Sequence, residues 1–185
     1  MERKDRRMER TQTAVQEAFL ELLQERDFEK ITIRDITERA NINRSTFYLH
    51  YLDKYDLLQQ MILHKLKEID SAVGTFSRED GPKQNLETIR SLVSHFDNNR
   101  SFYKLILQRS SAQYCHALFQ EKISDWARLV MNNDQMPADE QEFNVHLVVS
   151  AMDGILTWWV MDQAAMSAEQ LTNNIAETFF RLRRT

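Results

Sequence analysis

One stretch fixes most of what this chain can become. Residues 31–60 read ITIRDITERANINRSTFYLHYLDKYDLLQQ. They hold two short helical patterns around Asn41-Ile42-Asn43, and isolated helices of under about 12–15 residues are marginal in water. Each must therefore be held by packing. Thr32 with Asp35 is a capping-box-like pair that opens one helix. Ile33, Ile36 and Ala40 then face one way. Asn41 stands where that helix must stop, and Asn tolerates the left-handed conformation that a helix-ending residue needs. Ile42 plugs the turn, Asn43 can cap a third helix over about Arg44–His50, and Asp53 caps a fourth from Lys54 to about Asp70. Two helices joined by so short a turn form a helix-turn-helix pattern. Phe47, Tyr51 and Leu57 complete its small core. A first helix, about Arg7–Gln24, helps through Val15, Ala18, Phe19 and Leu22, which recur at i, i+3, i+4, i+7.

With the core assigned, the outward side chains are free for contacts. Asn43, Arg44, Ser45 and Thr46, at the start of the third helix, are placed to meet base edges in a major groove. Arg44 has the fork that reads guanine. Thr32, Tyr48, His50 and Lys54 are donors suited to phosphate oxygens.

The rest of the composition agrees with helices. The chain has three Gly and two Pro, too few for a turn-rich β fold, so the expected class is all-α. Its net charge of −4 does not itself point to nucleic acid. Local excesses do: residues 30–54 carry five Lys and Arg against three acids, and residues 1–10 carry the same balance. The single cysteine, Cys115, rules out an internal disulfide and, with no signal-peptide pattern at the charged start, fits a cytoplasmic protein. Further helices are expected near 84–97, 101–109, 112–132, 139–162 and 168–184. The expected breaks are Gly81-Pro82, Asn132-Asn133-Asp134 and Pro137, and Ser167 with Gln170 forms a capping box for the last helix.

Ile33, Ile36 through Asn43, Thr46-Phe47-Tyr48, His50-Tyr51 and Lys54 together resemble the N-terminal domain of the tetracycline-repressor (TetR) family of transcriptional regulators. Asn41, Asn43 and Tyr51 stand where that family usually has Gly, Ser and Phe; the first two keep the physical role, and the third adds a hydroxyl that needs a partner. The resemblance implies that Arg44, Ser45, Thr46, Tyr48, His50 and Lys54 form a DNA-contacting face, and that the basic arm before the first helix touches backbone or minor groove. It implies a helix-turn-helix domain over 1–53, continuing into a connecting helix 54–70, and a helical dimerisation and effector-binding domain over 71–185.

Phe143–Met161 is apolar nearly all round, yet Asn144, His146, Asp153 and Thr157 interrupt it too often for a membrane span. His146, Ser150, Asp153 and Thr157 recur on one narrow polar stripe. The final helix carries a second stripe. Two such helices from each of two chains make a four-helix bundle with two-fold symmetry. Ile155, Trp158, Trp159, Leu171, Ile175 and Phe179 are its candidate seam residues. The Gly154-to-Trp159 spacing resembles the dimerising end of the same family, in which a small ligand held in this domain usually releases DNA. Phe96, Phe102, Tyr103, Phe119 and Trp126 are candidate lining residues of such a pocket. Met152 and Trp158 could complete it, with His146 and Asp153 as its polar groups.

Enzymatic chemistry finds no footing. Cys115 and His116 are adjacent, so on a helix they point about 100° apart. No metal-ligand spacing, phosphate loop or cofactor motif appears, so no metal and no cofactor is expected. The expected partners are double-stranded DNA, a second copy of the chain and an effector. A TetR-like co-regulator that works mainly through a protein partner is the alternative.

Overall fold

The structure, a computed structural model, describes residues 2–74, 82–108, 111–131, 136–162 and 166–182. Among them every regular element is helical: α1 (Glu2–Glu25), a 3-10 turn (Phe28–Lys30), α2 (Ile33–Arg39), α3 (Arg44–Phe47), α4 (Lys54–Gly74), α5 (Pro82–Asn98), α6 (Arg100–Ile106), α7 (Ala112–Met131), α8 (Ala138–Met161) and α9 (Ala168–Leu182). The all-α expectation holds. Gly81 and Asn132-Asn133-Asp134, expected as breaks, lie outside the described residues.

The chain forms two compact units. The first comprises residues 1–65 and 105–115, the second 66–104 and 116–185. In the first unit, α1 buries Val15, Ala18, Phe19 and Leu22, and Phe28, Ile31, Ile36, Phe47, Tyr51, Leu57 and Leu58 join them in the core. Ile33, Ala40 and Ile42 are only half-buried. The capping box is complete: the Thr32 N–H donates to Asp35 Oδ2 at 2.8 Å, and the Asp35 N–H donates to Thr32 Oγ1 at 3.2 Å. Asn41 takes φ 51°, the left-handed conformation expected of it. Arg39 fastens α2 to α1 with both terminal guanidinium nitrogens, each 2.8 Å from a Glu25 carboxylate oxygen, and with a 3.1 Å bond from Nη1 to Glu21.

α3 is shorter than its pattern suggested. It ends at Phe47, and the Leu49 and His50 N–H groups reach back only three residues, to the carbonyls of Thr46 (3.3 Å) and Phe47 (3.0 Å). These tighter turns drop Tyr51 into the core, where the Gln16 amide donates to its hydroxyl at 3.4 Å. That is the partner this hydroxyl required. Asn43 sits at the N-cap, but its side chain makes no capping bond. Asp53 does cap: its Oδ1 accepts from the Tyr55 and Asp56 N–H groups at 2.8 Å each.

In the second unit α9 packs along α5, and α8 packs on α5 as well. The Ser167–Gln170 capping box forms as expected, with bonds of 2.9 and 3.2 Å. No helix of the described residues is long and apolar enough to cross a membrane.

Candidate nucleic-acid interface

The short α3 stands on a rigid base. Phe47 is fully buried beneath it, in ring contact with Tyr51 at 5.4 Å between centroids. Three residues before Phe47 and one directly after it are therefore forced outward. Asn43, Arg44, Ser45 and Tyr48 are exposed, while Thr46 and His50 are half-buried. Arg44 donates to the Tyr48 hydroxyl from Nε at 3.3 Å and from Nη2 at 2.9 Å, so these two contact candidates hold each other.

The basic excess of residues 30–54 is mostly spent internally. Arg34 pairs with Glu38 at 2.7 Å, Arg39 with Glu21 and Glu25, and Lys30 with Asp27 at 3.8 Å. Arg44 is the one whose partner is a neutral hydroxyl alone. Its guanidinium is thus the cation best placed for an outside acceptor.

Thr32 and Lys54 are placed differently from the rest of the candidate set. The Thr32 hydroxyl donates to Asp35 Oδ2 at 2.6 Å, inside the capping box. Those bonds hold the Asp35 carboxyl below its ordinary value, the Thr32 side chain contributing most. The Lys54 ammonium turns away from its own helix and donates to the carbonyls of Phe28, Glu29 and Ile31. Sequence reasoning did not single out Leu49 and Leu52, each 80% exposed beside α3. Strict attention to the Phe47–Tyr51 spacing would have found them, because those core positions leave both leucines outside.

The candidate ligand and seam residues divide by burial. Phe96, Tyr103 and Phe119 are buried against one another, Phe96 and Tyr103 being stacked at 4.4 Å. Phe102 is half-buried at the edge of the Tyr103 ring. Trp126 donates to Asp70 at 2.9 Å, and Met152 is buried. Of the polar pair, His146 is exposed and lies 3.4 Å from Glu142. Asp153 is buried, its two oxygens 2.9 Å from His116 Nδ1 and 3.0 Å from Gln120 Nε2. The polar stripe of α8 therefore runs from solvent into the interior. Trp159, Leu171 and Ile175 are buried within the chain's own fold, Ile155 is half-buried, and Trp158 is 45% exposed. The Phe179 side chain lies outside the described residues. Cys115 is fully buried, and burial pushes its thiol up to about 12, far from a reactive thiolate.

A three-helix unit whose propped third helix carries Arg44, Ser45 and Tyr48 outward is a helix-turn-helix DNA-binding regulator. Comparison with known proteins is more specific. Residues 17–61 match the model of bacterial regulatory proteins of the tetR family, and residues 84–181 match that of a transcriptional regulator C-terminal region. The chain belongs to the TetR family of transcriptional regulators. It is 26% identical over 172 residues to the HTH-type transcriptional regulator YxbF of Bacillus subtilis (strain 168), covering 91% of this chain and 44% of that protein. The chain thus spans under half the length of this curated relative. Among solved structures it resembles a TetR transcriptional regulator from Streptococcus agalactiae, at 25% identity and a TM-score of 0.64, covering 95% of this chain and 96% of that one. It also resembles the dihydroxyacetone kinase operon activator DhaS, at 19% identity and a TM-score of 0.63, with 93% and 95% covered.

Proposed function

We propose that this regulator binds a pseudo-palindromic operator as a homodimer, represses from it, and is released by a small ligand in the C-terminal domain. The observation that carries the DNA-binding reading is the pairing of exposure with anchorage at α3. Arg44, Ser45 and Tyr48 face solvent, and the fully buried Phe47 fixes where they point. Arg44 reads a base edge. Tyr48 both steadies Arg44 and donates to a phosphate.

Support for the homodimer comes from α8. Phe143, Leu147 and Trp158 are 65%, 47% and 45% exposed, and with Gly154 they recur along one helix face. A Cβ on Gly154 would meet nothing within 4 Å. A face this apolar needs covering, and a second α8 related by a two-fold axis covers both copies at once. Two α3 helices about 34–36 Å apart then read half-sites one turn apart. The effector part rests on Asp153, a buried carboxylate whose bonds from His116 and Gln120 a hydrogen-bonding or cationic ligand would replace.

Salt-titrated gel shifts test the interface. Arg44→Ala is expected to cost about 1–3 kcal/mol on the preferred sequence and to relax preference at one base position. Tyr48→Phe is expected to weaken binding to all duplexes. Unchanged affinity in both variants would remove α3 from the interface.

The co-regulator reading draws on a different observation, the 80% exposure of Leu49 and Leu52. A partner protein that covers them would be captured equally with and without DNA.

A further inference from the structure

The placement of Lys54 is unlike that of the other candidate contact residues. It is the first residue of α4, where a cation opposes the helix dipole. A donor reaching from there to phosphate would gain from an outward, extended side chain. Instead the side chain is 13% exposed. Its Nζ lies 2.9 Å from the Phe28 carbonyl oxygen, 3.1 Å from that of Glu29 and 3.1 Å from that of Ile31. An ammonium has three hydrogens, and three acceptors are in place. The nitrogen also sits 4.6 Å from the centroid of the Phe28 ring and 5.4 Å from that of Tyr55, with Glu29 Oε2 at 3.9 Å. Carbonyls at the end of a helical turn lack intrahelical partners and carry partial negative charge. Lys54 donates to all three from 23 to 26 residues away, adding to the bond that the Phe28 carbonyl already accepts from the Ile31 N–H at 3.1 Å.

The segment it closes is informative. Everything between Ile31 and Lys54 is the helix-turn-helix, so one ammonium joins its entry to its exit. The second unit uses the same device. Arg100, first residue of α6, donates to the Trp159 carbonyl at the end of α8 at 2.6 Å and stacks on the Trp159 ring at 4.0 Å.

We propose that Lys54 is a positioning residue for the DNA-reading element, a clasp across the base of the helix-turn-helix, and not a phosphate ligand. This rests on the DNA-binding reading of α3 and assigns Lys54 a place within it. Lys54 holds the approach to α2 and the exit from α3 at one fixed separation, and so fixes the pose from which Arg44 and Tyr48 reach the duplex.

Three readouts on the full chain test this. The first is the wild-type lysine 15Nζ spectrum, without and with duplex. Three bonds and burial should slow exchange enough for a Lys54 ammonium signal in the free protein, and that signal should stay in place when duplex is added. Absence of the signal, or a shift to a phosphate-paired position on binding, would overturn the proposal. The second is the pair Lys54→Arg and Lys54→Met. A planar guanidinium cannot converge on three carbonyls, so both should bind about tenfold more weakly, the order of a lost charge-assisted bond. Wild-type affinity in Lys54→Arg would identify a mere cation contact. The third is the slope of log K against log salt. It should match wild type in both variants; a fall of about 0.9 per protomer in Lys54→Met would mark a lost phosphate contact. Should Lys54→Met not fold, the wild-type spectrum and Lys54→Arg still decide. If the wild type binds no duplex, the DNA reading fails, and the ammonium spectrum of the free protein still reports on the clasp.

Discussion

In the first unit the polar side chains of α3 stand in solvent over an apolar floor of Phe19, Ile36, Phe47 and Leu57. In the second unit the arrangement is turned round. Asp153 and His95 lie inside, His95 bonded to the Tyr103 hydroxyl at 2.7 Å and 3.3 Å from Glu68, while Phe143, Leu147 and Trp158 stand outside. The same helical vocabulary thus builds two surfaces of opposite chemistry. Hydrogen-bond donors outside suit a polyanion. Exposed rings and aliphatics suit another protein surface, and polar groups sealed inside hold helices in register at a desolvation cost that only good pairing offsets.

Three variants would break or sharpen this contrast. Phe47→Ala attacks the floor of the first surface, and deleting a fully buried ring costs about 3–5 kcal/mol. Thermal unfolding of the first unit should fall accordingly, and DNA binding should vanish with Arg44 and Tyr48 still present. Retained binding would show that α3 does not need its support. The next effect should come from the other surface. Replacing Leu147 and Trp158 together by Glu places charge in the proposed seam and should weaken self-association about a hundredfold or more, as for central interface residues. Sedimentation should then show monomers with unchanged helicity; an intact dimer would move the seam elsewhere.

The smallest effect belongs to Asp35. Its carboxyl titrates below the ordinary 3.8 because Thr32 bonds to its charged form. A depressed folded value means the contribution is full above the unfolded value and fades as pH falls through the folded one. Asp35→Asn should therefore cost about 1 kcal/mol near neutrality, the scale of a helix cap. The gap to wild type should narrow below about pH 4. A gap that stays constant to strongly acidic pH would mean the charge is not what Thr32 stabilises.

Much of the first surface was legible in the sequence, because its signals are local. The Thr32–Asp35 capping box, the left-handed Asn41 and the buried Phe47 and Tyr51 follow from residues within a few positions of one another. Two features were not. The end of α3 depends on how Tyr51 packs, which no pattern in residues 44–50 encodes. The clasp of Lys54 joins residues more than twenty apart, and its one local hint is a cation of the wrong sign for its helix end. The second surface was less legible for a physical reason. α8 is apolar nearly all round, so its periodicity has no direction, and only the neighbouring helices decide that Trp159 is covered while Trp158 is not.

The central claim is that the propped α3 presents its donors to a double helix, twice per dimer. Selection of bound duplexes from a random-sequence pool at low ionic strength tests it most directly. The account predicts enrichment of a motif with two-fold symmetry and half-sites about 10 base pairs apart, or a multiple of that. A pool that stays random after repeated rounds would contradict it.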